Sequence, residues 1–288
     1  MNPALRSRLA LIAAAVLFST AGAAIKSCAL TGWQVASFRA LVAGIVVAVA
    51  LPESRRGWTR RTVLVAVAYA TTAILFVQAN KLTTAASTIF IQAASPLFIA
   101  ALAPWLLGEW PRRRDLPFMA AVLAGLALFF AGGPQEGHAT APDPRLGNLV
   151  AIASSFSVAL MMMGLRWLGR GEHGSATGAV VLGNFLAFAG ALPFAFPVHA
   201  RPVDVAITLY LGIFQIGLAY PLMLAGLRRV SALEASLLMF VEPVLSPLWA
   251  WLVHGEGVGP WALAGGALIL AATAIRTAVD SRRPVIAA

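Results

Sequence analysis

The sequence predicts an all-α integral membrane protein, with ten transmembrane helices in two inverted five-helix repeats and both termini cytoplasmic. Three observations carry that prediction. The first is composition: 60% of the 288 residues are hydrophobic, only 11% are charged, and the mean hydropathy is +0.83. A soluble domain is about a quarter charged, and so few charges cannot cover a water-facing surface. Lipid must be the solvent for most of this chain. The second is the spacing of apolar runs, which recur at the length a bilayer requires. The third is an internal echo. SPLFIAALAPWLLGE (Ser95 to Glu109) returns 147 residues later as EPVLSPLWAWLVHGE (Glu242 to Glu256), each copy entered through a proline and closed by Gly-Glu.

A spanning helix needs about 20 predominantly apolar residues. Ten segments meet or approach this: 9–25, 33–51, 62–80, 83–107, 116–132, 146–165, 175–197, 203–226, 232–253 and 259–279. Arg6 and Arg8 before the first run resemble a signal peptide, and AGA (Ala21 to Ala23) a cleavage site. Retention of this helix is expected instead, because LIAAAVLFS (Leu11 to Ser19) is echoed by LVAIASSFS (Leu149 to Ser157) at the start of the second half. The polar stretch from Gly132 to Arg145 reads as the connection between halves. The expected organisation is a first repeat over 1–132, an outer linker over 133–145, a second repeat over 146–280 and a cytoplasmic tail over 281–288.

Basic residues set the orientation. With the N-terminus inside and sides alternating, the inner segments hold Arg6, Arg8, Arg55, Arg56, Arg60, Arg61, Arg112 to Arg114, Arg166, Arg170, Arg228, Arg229, Arg276, Arg282 and Arg283. The outer segments hold Lys26, Lys81, Arg145 and Arg201, and Arg39 falls within span two. This is a strong positive-inside bias. Five spans per repeat, an odd number, force the second copy to enter upside down. Inverted repeats give two equivalent packings that can exchange inward- and outward-open states, the usual build of secondary transporters.

Several function classes are excluded on the same page. The net charge of +10 lies in short clusters between apolar runs, not on a basic face interleaved with aromatic residues, so no nucleic-acid partner is expected. Cys28 is alone, which rules out an intrachain disulfide and a cysteine zinc site. All four aspartates (Asp115, Asp143, Asp204, Asp280) and all four histidines (His138, His173, His199, His254) lie in loops or at span ends. No HExxH, no GxSxG with a buried histidine and no phosphate-binding GxxxxGK[ST] occurs. No enzyme activity, cofactor or metal is therefore expected. The expected partners are the lipid bilayer and a small-molecule substrate.

The chain resembles the EamA-type drug/metabolite transporter superfamily. The resemblance is carried by TTAASTIFIQAASPLFIAALAPWLLGE (Thr83 to Glu109) and SALEASLLMFVEPVLSPLWAWLVHGE (Ser231 to Glu256), supported by SFRALVAG (Ser37 to Gly44) and GGALILAA (Gly265 to Ala272). Within that superfamily it is most similar to amino-acid exporters of the YddG type. It departs from the pattern where Ser95 stands before the first proline and Glu242 before the second, and span five has a weaker glycine-rich tail than span ten. The resemblance implies a secondary transporter of a bacterial inner membrane that exports amino acids, aromatic or broadly neutral, or similar metabolites. A proton-coupled importer, a drug or polyamine exporter of the same fold, and a non-transporting membrane receptor remain as alternatives.

Helical spacing selects the residues facing a central space. Thr88, Gln92 and Ser95 line one face of span four; Met239, Glu242 and Ser246 line one face of span nine. The 147-residue offset superposes Gln92 on Met239 and Ser95 on Glu242. A cavity role competes with back-bonding of Thr88 and Ser95 to their own helices. Glu242, the deepest carboxylate, is either a proton-coupling or ammonium-binding group or a structural one beside Pro243. Arg39 can snorkel, pair with a carboxylate or meet a substrate carboxylate; the first two are the ordinary outcomes. Asn184, Gln215, Tyr220 and Gln78 are further polar groups at depth. Spans three, four, eight and nine line the cavity in the family resembled, which puts Gln78 and Tyr220 ahead. Pro96 and Pro243 are the candidate hinges. The run Met161 to Met163 is read as packing, or as an adaptable binding wall.

Overall fold

The computed structural model describes residues 3–106, 108, 110, 113–132, 139–169, 175–227 and 232–281. Glu109, residues 133–138 of the 133–145 linker and the 281–288 tail beyond Ser281 lie outside the described residues. Among those described there is no strand, and the chain is a succession of helices. In order these are α1 (Pro3–Ser19), α2 (Ala21–Ser27), α3 (Gly32–Ala50), α4 (Arg60–Leu82), α5 (Ala85–Gln92), α6 (Ser95–Leu106), α7 (Leu116–Ala131), α8 (Pro144–Gly169), α9 (Ala176–Ala191), α10 (Pro202–Tyr210), α11 (Ala219–Leu227), α12 (Ala232–Met239), α13 (Val241–His254) and α14 (Pro260–Ser281).

Consecutive pieces join into longer rods. Among the described residues eight helices are long and apolar enough to cross a bilayer, and Leu116–Ala131 is a shorter apolar one. Large apolar side chains point outward along them: Leu64 is 69% exposed and Ile275 65% exposed, which is tolerable only against lipid. The chain is a multi-pass membrane protein. Its interior is built mainly from alanine, glycine and valine, the residues that let membrane helices approach closely. A Cβ on Gly265 of α14 would lie 2.4 Å from the Gly125 carbonyl oxygen of α7, so that pair packs backbone to backbone.

Helix starts are written in the sequence. Thr31 Oγ1 accepts from the Gln34 N–H, while Gln34 Oε1 accepts from the Thr31 N–H, a reciprocal cap that opens α3. Thr59 with Thr62 does the same for α4, and Thr84 and Ser175 cap α5 and α9. Between α10 and α11 the chain runs as a π-helix over Leu211–Leu218, a wider turn that shifts the register of side chains after it.

The interruptions are the most informative local feature. The rod α5–α6 breaks at residues 93–94, just before Ser95-Pro96; the rod α12–α13 breaks at Phe240, just before Val241-Glu242-Pro243. Proline has no N–H to donate four residues back. The Gln92 carbonyl, which Pro96 leaves without that donor, receives the Ser155 hydroxyl of α8 at 3.4 Å. The two Gly-Glu closures also match. Gly108 and Gly255 both adopt left-handed backbone, φ 69° and 66°, with nothing within 4 Å of where a Cβ would sit. Backbone conformation rather than packing space therefore asks for glycine at both.

The repeats cross over each other. The first-half helix α4 packs along α8 and α9 of the second half, and α3 packs against α9 and the π-helix. Helix α1 lies along α11, and α7 pairs with α14.

Candidate functional site

Two ends of this bundle differ sharply. At the end where α2 and α13 finish and α5 and α8 begin, Lys26 Nζ meets Glu256 Oε1 at 2.9 Å, and both side chains are only 1% exposed. Lys26 also donates to the carbonyls of Thr83 and Thr140, at 2.7 Å each. The second Glu256 oxygen accepts the Ala85 N–H at 3.0 Å, and the Thr140 hydroxyl donates to the first. The left-handed turn at Gly255 folds Glu256 back into this position. A buried ion pair holds only when its remaining donors and acceptors are satisfied, and here the pair and its partners come from four separate segments. Below this knot His254 Nε2 reaches the Ala23 carbonyl at 2.9 Å, and Trp249 Nε1 donates to Ser19 Oγ at 2.9 Å. This end is closed.

The opposite end carries two less buried ion pairs, Arg8 Nε to Glu234 Oε1 and Arg276 Nη1 to Asp115 Oδ1, at 2.5 Å each. A lateral groove of about 1310 Å³ runs along α4, α6 and α8, from Leu149 near the start of α8 to Trp167 near its end, with lipid-facing Leu64 and Phe156, and Phe98, in its wall. None of Gln78, Thr88, Gln92, Ser95, Tyr220, Met239 and Glu242 lines it. Phe98 and Phe156 meet edge to face at 5.7 Å. Helix α6 buries only Ala103, and leans on α8 and α7. Its later counterpart α13 packs against α1, α2 and α5.

Between the ends lies a polar cluster at bilayer depth. Arg39 on α3 is 3% exposed, so it does not snorkel. Its guanidinium donates to the Ala73 carbonyl at 3.1 Å and to Gln215 Oε1 at 3.4 Å, and lies 5.8 Å from the Phe76 ring centroid. Its Nε is buried without a partner, as is Asn184 Oδ1. Asn184 donates to the Tyr69 hydroxyl at 3.1 Å. The Tyr69 and Tyr220 rings stand 6.2 Å apart, and Phe18 packs edge-on to Tyr220 at 5.5 Å.

The sequence-selected residues take different places. Glu242 is half-buried one residue into α13, and among the described residues its carboxylate has no hydrogen bond or ion pair. Tyr220 joins the cluster just described. Gln92, also half-buried, donates to Ser154 Oγ of α8 at 3.1 Å. Thr88 is buried and bonds back to the Thr84 carbonyl of its own helix at 3.2 Å. Ser95 and Met239 flank the two helix breaks, half-buried, and Pro96 and Pro243 follow those breaks. Gln78 packs at Gly32, its amide nitrogen without a partner. Met161 and Met163 are core, while Met162 faces outward.

Two features escaped the sequence reading. Tyr69 is one of three tyrosines and sits mid-span, which was signal enough to include it. The Lys26–Glu256 pair joins residues 230 positions apart; its only trace was the recurrence of Gly-Glu. Among the described residues no His, Cys, Asp and Glu group is arranged to hold a metal ion.

A solved crystal structure, 22% identical, matches 96% of this chain and 98% of its own length with a TM-score of 0.64, a likeness of fold. A search of curated proteins found no match. The model of the EamA-like transporter family matches twice, over residues 6–131 and 145–277. The chain therefore belongs to the EamA-like transporter family.

Proposed function

We propose that the chain is a secondary carrier of a bacterial inner membrane that exports amino acids, aromatic or broadly neutral, or similar small metabolites. Its ten spans form two inverted repeats, residues 1–132 and 146–280, with the 133–145 linker outside and both termini, including the 281–288 tail, cytoplasmic. Alternating access carries cargo from one side of the membrane to the other. The observation that carries this reading is the buried Lys26–Glu256 knot, which ties segments of both halves together at one end of a chain matched twice by a transporter family. The positive-inside reading takes that end as the outer one. Export, as opposed to import, rests on the family likeness.

Gln78, Thr88, Gln92, Ser95, Tyr220, Met239 and Glu242 are the proposed cargo-facing set, with flexing at Pro96 and Pro243. Thr88 is the weakest member, since its hydroxyl is spent on its own helix. Glu242 also supports a second reading, a proton-coupled carrier, because a carboxylate at membrane depth with no partner among the described residues is suited to take up a proton.

Counterflow of labelled amino acids in proteoliposomes, with and without a pH gradient, tests both. Exchange of at least one amino acid is expected. No exchange of any amino acid overturns the amino-acid reading. Dependence on the gradient that disappears in Glu242→Gln selects the coupled form.

A further inference from the structure

The groove along α4, α6 and α8 has no part in the carrier reading, because none of the proposed cargo-facing residues lines it. Its floor is closed. There α4 and α8 pack so tightly that a Cβ on Gly164 would lie 2.7 Å from Val65 Cγ2. The two hydroxyls in its wall are spent within the bundle: Ser157 donates to the Ala68 carbonyl at 3.1 Å, and Thr71 to the Val67 carbonyl at 2.9 Å. The groove therefore opens sideways to the bilayer and offers no free hydroxyl to a polar molecule. Hydrocarbon is what such a wall accepts.

Charge enters at one end only. Arg60, the one charged residue among the described residues lining the groove, stands exposed at the start of α4. The guanidinium carbon of Arg61 lies 4.7 Å from the Trp167 ring centroid at the same end. Neither arginine has a carboxylate within ion-pair distance among the described residues. Trp105, 77% exposed, joins Trp167 there, and indoles gather at the headgroup boundary of a bilayer. Depth agrees with a single leaflet. The walls from Arg60 to Thr71 on α4 and from Trp167 to Ser157 on α8 each run about 15 Å, half of a hydrocarbon core of about 30 Å.

We infer that the half of this groove ending at Arg60 and Trp167 is a binding site for one anionic phospholipid. Its phosphate sits on the Arg60 and Arg61 guanidiniums, whose planar forks match phosphate oxygens. An acyl chain lies between α4, α6 and α8 as far as the level of Ser157. The lipid fastens α6, which buries only Ala103, to the two helices beside it. A second copy of the chain fits less well, since its own inner segments are basic and would face these arginines. The site is independent of what the carrier transports.

The test uses the purified full chain, stripped of lipid in a neutral detergent, and reads its unfolding temperature against added probe. The probes are phosphatidylglycerol, phosphatidylcholine with the same acyl chains, soluble glycerol phosphate and inorganic phosphate. Phosphatidylglycerol is expected to stabilise at a concentration at least about fivefold below that of phosphatidylcholine, the factor one arginine contributes at an anionic headgroup. The two soluble anions should do nothing in that range. Arg60→Gln combined with Arg61→Gln should erase the difference between the lipids, while Arg6→Gln, exposed near the start of α1, should keep it. Val67→Trp fills the groove from an exposed position in its wall and should weaken the response to both lipids. Equal response of the wild type to the two lipids, or the same loss in Arg6→Gln, overturns the headgroup assignment. Stabilisation by either soluble anion in the lipid range overturns a lipid as the occupant, and an unchanged response in Val67→Trp overturns the groove as the place. A dimer in lipid-free detergent that Val67→Trp dissociates puts a second copy there and overturns the proposal as well. Should the double arginine variant fail to fold, the wild-type ratio and Val67→Trp decide. None of these readouts involves counterflow, so the carrier reading stands or falls separately.

Discussion

Helices α6 and α13 begin from the same sequence skeleton and end in different surroundings. Both follow a helix break, both carry a proline at the start and another within, and both close on a left-handed glycine. Yet α13 packs against α1, α2 and α5 and delivers Glu256 into a buried knot, while α6 rests on α8 and α7 beside a lateral groove of about 1310 Å³. Two copies of one device in unequal packings show that the skeleton permits more than one packing. In a carrier with two inverted halves, the two packings would exchange during a cycle.

The comparison breaks most directly at the knot. Glu256→Ala strands the Lys26 ammonium and removes the acceptor for the Ala85 N–H. Removing one partner of a buried pair costs about 3–5 kcal/mol, so a fall in unfolding temperature in detergent is expected. Combining Lys26→Met with Glu256→Leu should recover most of that loss, because an apolar pair carries no stranded charge. A smaller effect is expected where the ends do not differ. Gly265→Ala places a methyl against the Gly125 carbonyl and should cost roughly 1–3 kcal/mol. It lowers the unfolding temperature without altering which end admits a reagent.

Gly108→Ala and Gly255→Ala sharpen the comparison further. Each puts a side chain on left-handed backbone with open space around it, and each should cost about 1 kcal/mol. Only the second also moves Glu256, so only the second should loosen the sealed end. The smallest effect belongs to Thr88→Ala. Its hydroxyl serves its own helix, so a stability loss of about 1 kcal/mol or less is expected, with counterflow retained.

Much of this was legible beforehand. Composition and run length expose the membrane helices, and the doubled Pro and Gly-Glu locate both helix breaks and both left-handed turns to within a few residues. These are local properties of proline and glycine, so sequence carries them. The knot is not local: Lys26 counts in sequence only as an outer charge, and Glu256 only as a helix end. Arg39 is harder still. Six residues into its span it had the reach to snorkel, and only the π-helix and α4 wrapped around it remove that option. A local change from α to π over eight residues leaves no period in the sequence to find. Spacing alone groups Thr88 with Gln92 and Ser95, whereas in the fold the Thr88 hydroxyl bonds to its own turn.

The central claim is that the Lys26–Glu256 knot keeps one end shut, and the chain carries its own reporter. Cys28, the single cysteine, lies two residues beyond Lys26, 2% exposed, and burial above all pushes its thiol above the ordinary range. The rate at which a membrane-impermeant maleimide, added from outside, labels Cys28 in intact vesicles tests the claim most directly. Slow labelling of the wild type and of Gly108→Ala, with rapid labelling of Glu256→Ala, is the predicted result. Wild-type labelling as fast as in Glu256→Ala would contradict it.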